Sequence, residues 1–302
     1  MQINVVINQV IILFLILFVG FYARKRNIIT ADMPGKLSNL MLQVTLPLQI
    51  LTSFNFGLSE EILRNAFLLF VLSFLIHLFL MVIAKFAYLR YKEPVRNVLK
   101  YMTIFSNCGF MGFPVLQSIF GSKGVFYGAF YNIPFQILTL YYGVMIFTGK
   151  SDKNTLKRIV THPIIISVAV GMVLFLLKIQ LPGPVSEAFA MAGSMTPSLS
   201  MLIVGSLLAD VPLRGILRGS EIYLGSAMKL IVTPLVIYGL LRLLPLQKEV
   251  MQICVILTAM PAAANTAIYP ARFGGDTMLA SRLVSITTIL SIITIPLILL
   301  VL

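Results

Sequence analysis

Ten stretches of mostly apolar residues follow one another with little interruption along this 302-residue chain. A helix needs about 20 apolar residues to cross the hydrocarbon layer of a bilayer. The apolar fraction of 59% and the charged fraction of 11% compare with roughly 45–50% and 25% in soluble domains. The sequence therefore predicts an all-α integral membrane protein with ten transmembrane helices and no separate soluble domain. The predicted spans are residues 5–22, 37–54, 66–88, 98–120, 124–147, 163–177, 187–208, 221–243, 250–273 and 278–302.

The net charge of +13 comes mainly from basic residues in alternate loops between the predicted spans. By the positive-inside rule these loops face the cytoplasm, which places both termini on the extracytoplasmic side of the cell membrane. Membrane orientation explains the charge, so we expect a lipid bilayer and no nucleic acid as partner. The basic residues of these loops are Arg24, Lys25, Arg26, Lys36, Arg90, Lys92, Arg96, Lys100, Lys150, Lys153, Lys157, Arg158, Arg214, Arg218 and Arg272.

An odd number of spans in each half predicts that the halves enter the membrane in opposite orientations. Residues 1–150 and residues 151–302 each hold five predicted spans, which predicts a five-plus-five inverted repeat. The Thr-Leu-Pro sequence at 45–47 is echoed by Met-Thr-Pro at 195–197. Many secondary transporters are built from such repeats and place their substrate site on interrupted helices.

Helix-breaking residues stand in the middle of the fourth and ninth predicted spans. Pro114 and Pro261 each remove a backbone donor, and unpaired backbone at membrane depth must face protein or a water-filled cavity. Glycine and proline are also common kink and packing residues in membrane helices. Two such runs at corresponding places predict two broken crossover helices whose half-helix N-termini stabilise an anion. The candidate substrate-binding residues in these runs are Asn107, Cys108, Gly109, Gly112, Pro114, Pro261, Asn265 and Thr266.

Two ionisable residues lie inside predicted spans, where charge is expensive and functional roles are common. His77 lies in the third span and Lys229 in the eighth. Either residue could neutralise a substrate carboxylate or carry a proton. Two alternatives stay open, namely that Lys229 snorkels toward the cytoplasm and that His77 makes only a structural hydrogen bond. The two cysteines lack neighbours suited to a metal site, so no metal or other cofactor is expected.

Three segments resemble the auxin efflux carrier family: NCGFMGFP from Asn107, MPAAANTAIYPARFGGD from Met260 and TLPLQIL from Thr45. The resemblance covers nearly the whole chain. It implies ten helices in a five-plus-five inverted repeat, with crossover segments at 107–114 and 260–266. It also implies that bacterial members of the family are permeases for malate, malonate or similar carboxylates. It also implies a motion in which the crossover helices, together with spans three, five, eight and ten, move against spans one, two, six and seven.

These features together predict a secondary active transporter that moves a small mono- or dicarboxylate by an elevator-like, alternating-access mechanism. An anion channel or uniporter is the alternative, because broken helices also line pores. An enzyme is the least favoured class, since no catalytic constellation is visible. Gly149-Lys150-Ser151 follows a membrane helix and lacks the spacing of a phosphate loop. Proton or sodium coupling and homodimer formation are left open.

Overall fold

The computed structural model describes residues 3–55, 59–150, 154–210 and 216–302, and every regular element in these ranges is a helix. The all-helical prediction is thus confirmed for this part of the chain. The helices are α1 Ile3–Lys25, α2 Met33–Leu40, α3 Leu46–Thr52, α4 Glu60–Ala87, α5 Glu93–Ile104, α6 Phe113–Leu138, α7 Val144–Thr148, α8 Thr155–Val160, α9 Pro163–Leu176, α10 Gly183–Ala209, α11 Ser220–Ala227, α12 Thr233–Leu241, α13 Lys248–Ala259, α14 Asn265–Phe273 and α15 Thr277–Val301.

Short π-helical turns join several of these helices, and proline accounts for three of them. The four π-helical turns are Met41–Thr45, Cys108–Gly112, Thr139–Gly143 and Met228–Val232. Pro47, Pro114 and Pro234 each follow a π-helical turn by two residues. A proline cannot donate to the carbonyl four residues earlier and its ring clashes with that carbonyl, so the preceding turn widens. Lys229 lies in the last of these widened turns, Met228–Val232.

Six helical runs in the described chain are long and apolar enough to cross a bilayer, which is the pattern of a multi-pass membrane protein. The runs are Asn8–Lys25, Glu60–Ala87, Cys108–Thr148, Gly183–Ala209, Ser220–Leu241 and Thr277–Val301, and Pro163–Leu176 is a shorter apolar helix. The fourth and ninth predicted spans are interrupted, because α5 and α13 end after 12 residues each. The ten-span count and the inverted repeat stay predictions.

The long run that contains α6 reverses direction at Gly121. This glycine has φ 61° and ψ −148°, a conformation that glycine adopts readily and other residues do not. A Cβ at Gly124 would touch the Leu116 carbonyl oxygen, and one at Gly128 would touch the Leu116 side chain. In a straight helix, residues eight and twelve positions apart would be separated by about 12 and 18 Å. The contacts therefore require the chain to fold back, between the fourth and fifth predicted spans.

The helices group into two compact units, each drawn from both predicted halves of the chain. The first unit comprises Met1–Phe67, Gly109–Ile133 and Lys157–Asp210, and the second comprises Leu68–Cys108, Pro134–Leu156 and Val211–Leu302. The grouping reflects contact in space, whereas the division into 1–150 and 151–302 concerns a repeat in sequence. That division stays a prediction.

In the first unit, small residues let the backbones of α1 and α10 approach closely. A Cβ at Gly205 would overlap the Leu17 carbonyl oxygen, and one at Gly20 would overlap the backbone of Leu202. Such small-residue contacts are a main source of helix association in lipid, where the hydrophobic effect adds little. The arrangement indicates tight, rigid packing of this helix pair.

The Thr-Leu-Pro motif at 45–47 and the Met-Thr-Pro motif at 195–197, which suggested an internal repeat, lie against each other in the first unit. Thr196 Oγ1 donates to Thr45 Oγ1 at 3.0 Å, and both residues are buried. Pro197 lies inside α10, which continues through it, whereas Pro47 follows a widened turn. The two motifs are therefore neighbours in space as well as similar in sequence.

Replacing Gly205 with alanine should destabilise the protein by about 1–3 kcal/mol, because the added methyl group has no space beside Leu17. Gly239→Ala is the matched control, since a Cβ there meets no atom within 4 Å and alanine favours a helix. A thiol-reactive fluorescent dye can follow thermal unfolding, because Cys108 and Cys254 are both buried and free. Equal unfolding temperatures for the two variants would contradict the close packing.

Candidate functional site

In the second unit, the two interrupted segments predicted from the sequence pair with each other through their backbones. The Asn107 amide donates to the Pro261 carbonyl at 2.8 Å, and the Ala263 amide donates to the Phe105 carbonyl at 3.2 Å. These bonds form a short antiparallel bridge between the chain segments that follow α5 and α13. Backbone groups released by the helix breaks thus satisfy each other inside the unit, as a buried, apolar surrounding requires.

Lys229 reaches this bridge from the widened turn between α11 and α12. Its side chain is 0% exposed, and its Nζ donates to Ser106 Oγ at 2.5 Å and to the Thr103 carbonyl at 3.5 Å. Ser106 Oγ donates in turn to the Thr258 carbonyl at 3.1 Å. The structure therefore places the lysine inside the unit rather than snorkelling toward a surface.

The Lys229 ammonium is held by neutral oxygen atoms alone in the described part of the chain. Its hydrogen-bond acceptors are a serine hydroxyl and a backbone carbonyl, and no described carboxylate lies within ion-pair distance. A buried ammonium carries a desolvation penalty of several kcal/mol, which a nearby anion offsets. The positive charge therefore makes this site electrostatically suited to an anionic ligand.

His77 lies close to the same bridge and is also buried. Its Nδ1 is 2.6 Å from the Ser73 carbonyl one turn earlier on α4. Its ring stacks against Phe105 at a centroid distance of 6.1 Å and meets the edge of Phe135 at 5.7 Å. The ring is near enough to Lys229 for the two groups to interact electrostatically. His77 thus contacts the bridge through Phe105, and the Ser73 bond fixes its orientation.

The start of α14 contributes the two polar candidates of the ninth span. Thr266 is completely buried, and its Oγ1 has no hydrogen-bond partner in the described chain. Asn265 is partly exposed, and its side chain lies beside that of Tyr101. A buried hydroxyl without a partner is uncommon and calls for an explanation. An oxygen-bearing ligand at the N-terminus of α14 would supply the missing partner.

The other candidates distribute between the units. Cys108 is buried in the second unit, where its Sγ donates to the Leu257 carbonyl at 3.7 Å. Gly109, Gly112 and Pro114 belong to the first unit. A Cβ at Gly109 would meet no atom within 4 Å, so open space adjoins this glycine.

Two residues that the sequence analysis did not select also hold the bridge together. Ser106 connects the bridge to Lys229, and the Ala262 amide donates to Thr287 Oγ1 of α15 at 3.2 Å. Ser106 stands next to Asn107 in a helix-breaking run, which was a usable signal. Thr287 gives no comparable signal, because single threonines are common in membrane helices and its partner lies 25 residues away.

Comparison with known proteins gives matches along nearly the whole chain. A family model described as a membrane transport protein matches residues 5–159 and residues 150–299. An uncharacterized transporter of Methanocaldococcus jannaschii is 23% identical over 96% of both chains. An uncharacterized transporter of Methanothermobacter thermautotrophicus is 27% identical over 63% of both chains. The uncharacterized transporter YfdV of Escherichia coli K12 is 21% identical over 96% of both chains.

Proposed function

Because the chain belongs to the auxin efflux carrier family of membrane transport proteins, we propose that it is a secondary active transporter for a small organic anion. Membership makes the chain a multi-pass membrane transporter and not an enzyme. The proposed substrate is a mono- or dicarboxylate of the malate, malonate or auxin type. The observation that carries this proposal is the buried Lys229 ammonium, which touches the interrupted helices and has no described carboxylate partner.

The proposed site combines one cation with neutral hydrogen-bonding groups. Lys229 neutralises the substrate carboxylate, while Asn107, Asn265 and Thr266 donate or accept hydrogen bonds without adding a fixed charge. The N-terminus of α14 adds a favourable dipole for an anion. Neutral ligands of this kind let the site release its substrate without leaving further charges buried.

The grouping of helices supports an elevator-like, alternating-access mechanism. Predicted spans one, two, six and seven lie in the first unit, whereas spans eight and ten lie in the second. Span three belongs almost entirely to the second unit, span four is divided after Cys108, and span five is divided after Ile133. The family resemblance implies a similar grouping, with spans four and five both wholly in the moving body. We propose that the second unit carries the substrate, with proton or sodium coupling as the energy source.

The test is uptake of labelled malate, malonate and indole-3-acetate by liposomes that contain the purified protein. Proton and sodium gradients are imposed separately, and protein-free liposomes provide the background. Saturable uptake, accelerated by unlabelled acid on the opposite side and driven by one of the gradients, is the expected result. Flux that does not saturate or exchange would favour the anion channel or uniporter. An absence of flux for every acid would contradict the proposed substrate class.

Replacing Thr266 with valine should raise the KM for the transported acid about tenfold, which is the loss of one hydrogen bond to a charged group. Valine has nearly the same shape, and the Thr266 hydroxyl has no partner in the described chain. Thermal stability should therefore stay constant or rise. Thr233→Val is a matched control, because the Thr233 hydroxyl already bonds the Lys229 carbonyl at 3.0 Å and valine there should lower stability. An unchanged KM in Thr266→Val would remove this hydroxyl from the substrate site.

A further inference from the structure

A polar cavity, distinct from the bridge, lies within the second unit. Its volume is about 560 Å³, and its walls come from the start of α5, the end of α7 and the turn at Gly274 and Gly275. This basic cavity is defined here by the polar side chains that line it, which are Glu93, Arg96, Asn97, Lys100, Tyr142 and Thr148. Basic residues are dense in the loop before α5, so we expect this end of the unit to face the cytoplasm.

The cavity carries an excess of positive charge. Lys100 interacts electrostatically with Arg96 and Lys85, and with a single carboxylate, that of Glu93. Among the residues that line the cavity, Arg96 and Lys100 stand against the single carboxylate of Glu93, which leaves a net charge of +1. Neither Arg96 nor Lys100 makes an ion pair with a described carboxylate. The Arg96 Nε is buried and has no hydrogen-bond partner among the described residues. An unpaired guanidinium donor in a positively charged cavity points to an anionic ligand.

Aromatic side chains separate the basic cavity from the bridge. Phe147 lines the cavity and packs against Tyr101 at a centroid distance of 5.8 Å. Tyr101 in turn packs against Tyr269 at 5.2 Å. Along α5, Arg96 precedes the end of the helix at Ile104 by eight residues, which corresponds to about 12 Å. The cavity is therefore a separate site from the one proposed for the transported acid.

We propose that the basic cavity binds a phosphate group, presented by an anionic phospholipid headgroup or by free phosphate. Arginine has a planar fork of donors that matches phosphate oxygens, and Lys100, Asn97 and Thr148 stand in the same walls. Arg96 and Lys100 lie one turn apart on α5, so the two cationic side chains can bond separate oxygens of one phosphate. Basic pockets between membrane helices on the cytoplasmic side are suited to phospholipid headgroups. This site does not depend on the proposed transport function.

The experiment measures ligand binding by the purified full-length protein without any transport assay. Thermal unfolding is followed in sodium phosphate and in sodium chloride at equal ionic strength. Native mass spectrometry then compares retention of phosphatidylglycerol with that of phosphatidylcholine. The cavity variant is Arg96→Gln with Lys100→Gln. The matched control is Arg90→Gln with Lys92→Gln, which removes two positive charges from exposed positions of the same region that do not line the cavity.

We expect at least about tenfold weaker binding in the cavity variant, as the loss of two charge-assisted hydrogen bonds predicts, and a change below about twofold in the control. Glu93→Gln should bind more tightly than the original chain, since it removes the opposing carboxylate. Selective retention of phosphatidylglycerol alone assigns the site to a lipid headgroup, and stabilisation by phosphate alone assigns it to free phosphate. Three results would overturn the proposal. The first is that neither phosphate nor phosphatidylglycerol binds, and the second is that both double variants lose binding equally. The third is that malate stabilises the protein as much as phosphate does and that the cavity variant loses this stabilisation as well.

Discussion

Replacing Lys229 with methionine should reduce saturable carboxylate uptake at least about hundredfold, because removing one partner of a buried charge pair typically costs 2–5 kcal/mol. The ammonium is buried among neutral oxygens, those of Ser106 and Thr103. Methionine fills a similar volume and needs no solvation, so it removes a desolvation penalty there. Transport and stability should therefore change in opposite directions, with uptake lost and the unfolding temperature unchanged or raised.

Lys248→Met provides the comparison, because Lys248 is exposed at the start of α13. That variant loses the same charge and should transport normally. Both proteins are reconstituted at equal density, and initial rates are measured over a range of acid concentrations. A Lys229→Met protein that folds and still transports the acid at more than a tenth of the original rate would exclude Lys229 as the anion partner.

The helix breaks were predictable from the sequence because their causes are local. Pro261 lacks an amide hydrogen wherever it stands and follows the end of α13 by two residues, and Pro114 widens the turn Cys108–Gly112 that precedes it. Both interruptions appear, since α5 ends at Ile104 and α13 at Ala259. The sequence also indicated that the freed backbone needs partners, which the structure supplies through the bridge.

The position of the Lys229 ammonium was not predictable from the sequence. A lysine about two turns from a helix end can extend outward to the interface or inward to a polar partner, and both conformations have the same local sequence. The structure selects the inward conformation because Ser106, 123 residues earlier, offers a hydroxyl. A contact of that range depends on the tertiary arrangement, which a helix pattern does not contain. The role of Thr287 and the basic cavity were not predictable for the same reason. Thr287 bonds a residue 25 positions away, and the walls of the cavity come from three separate segments.

The two compact units were likewise not predictable from the sequence. Each unit assembles three discontinuous segments of the chain, whereas span counting works along a continuous sequence. Apolar composition reveals where helices lie, but all of their faces are apolar, and apolarity alone does not distinguish lipid-facing from protein-facing surfaces. Close glycine contacts, such as that of Gly205 with Leu17, carry the missing information and become visible only with coordinates.

Replacing Asn107 with alanine should raise the KM for the transported acid roughly ten- to hundredfold, as expected for one or two hydrogen bonds to a carboxylate. The side chain is 6% exposed and follows directly the serine that holds Lys229. The alanine variant keeps the backbone amide that donates to Pro261, so the bridge itself can still form. The KM for the acid and the thermal unfolding temperature are measured together, which separates loss of binding from loss of structure.

Asn107→Asp tests the charge of the site with almost no change in shape. A carboxylate at this position repels an anionic substrate and offers an intramolecular partner to the Lys229 ammonium, so both effects lower transport below that of the alanine variant. Asn55→Asp, at an exposed position, adds the same charge and should leave the KM unchanged. If Asn107→Asp transported the acid better than Asn107→Ala, the substrate carboxylate would not lie beside residue 107, and the assignment of the anion site to the bridge would have to be abandoned.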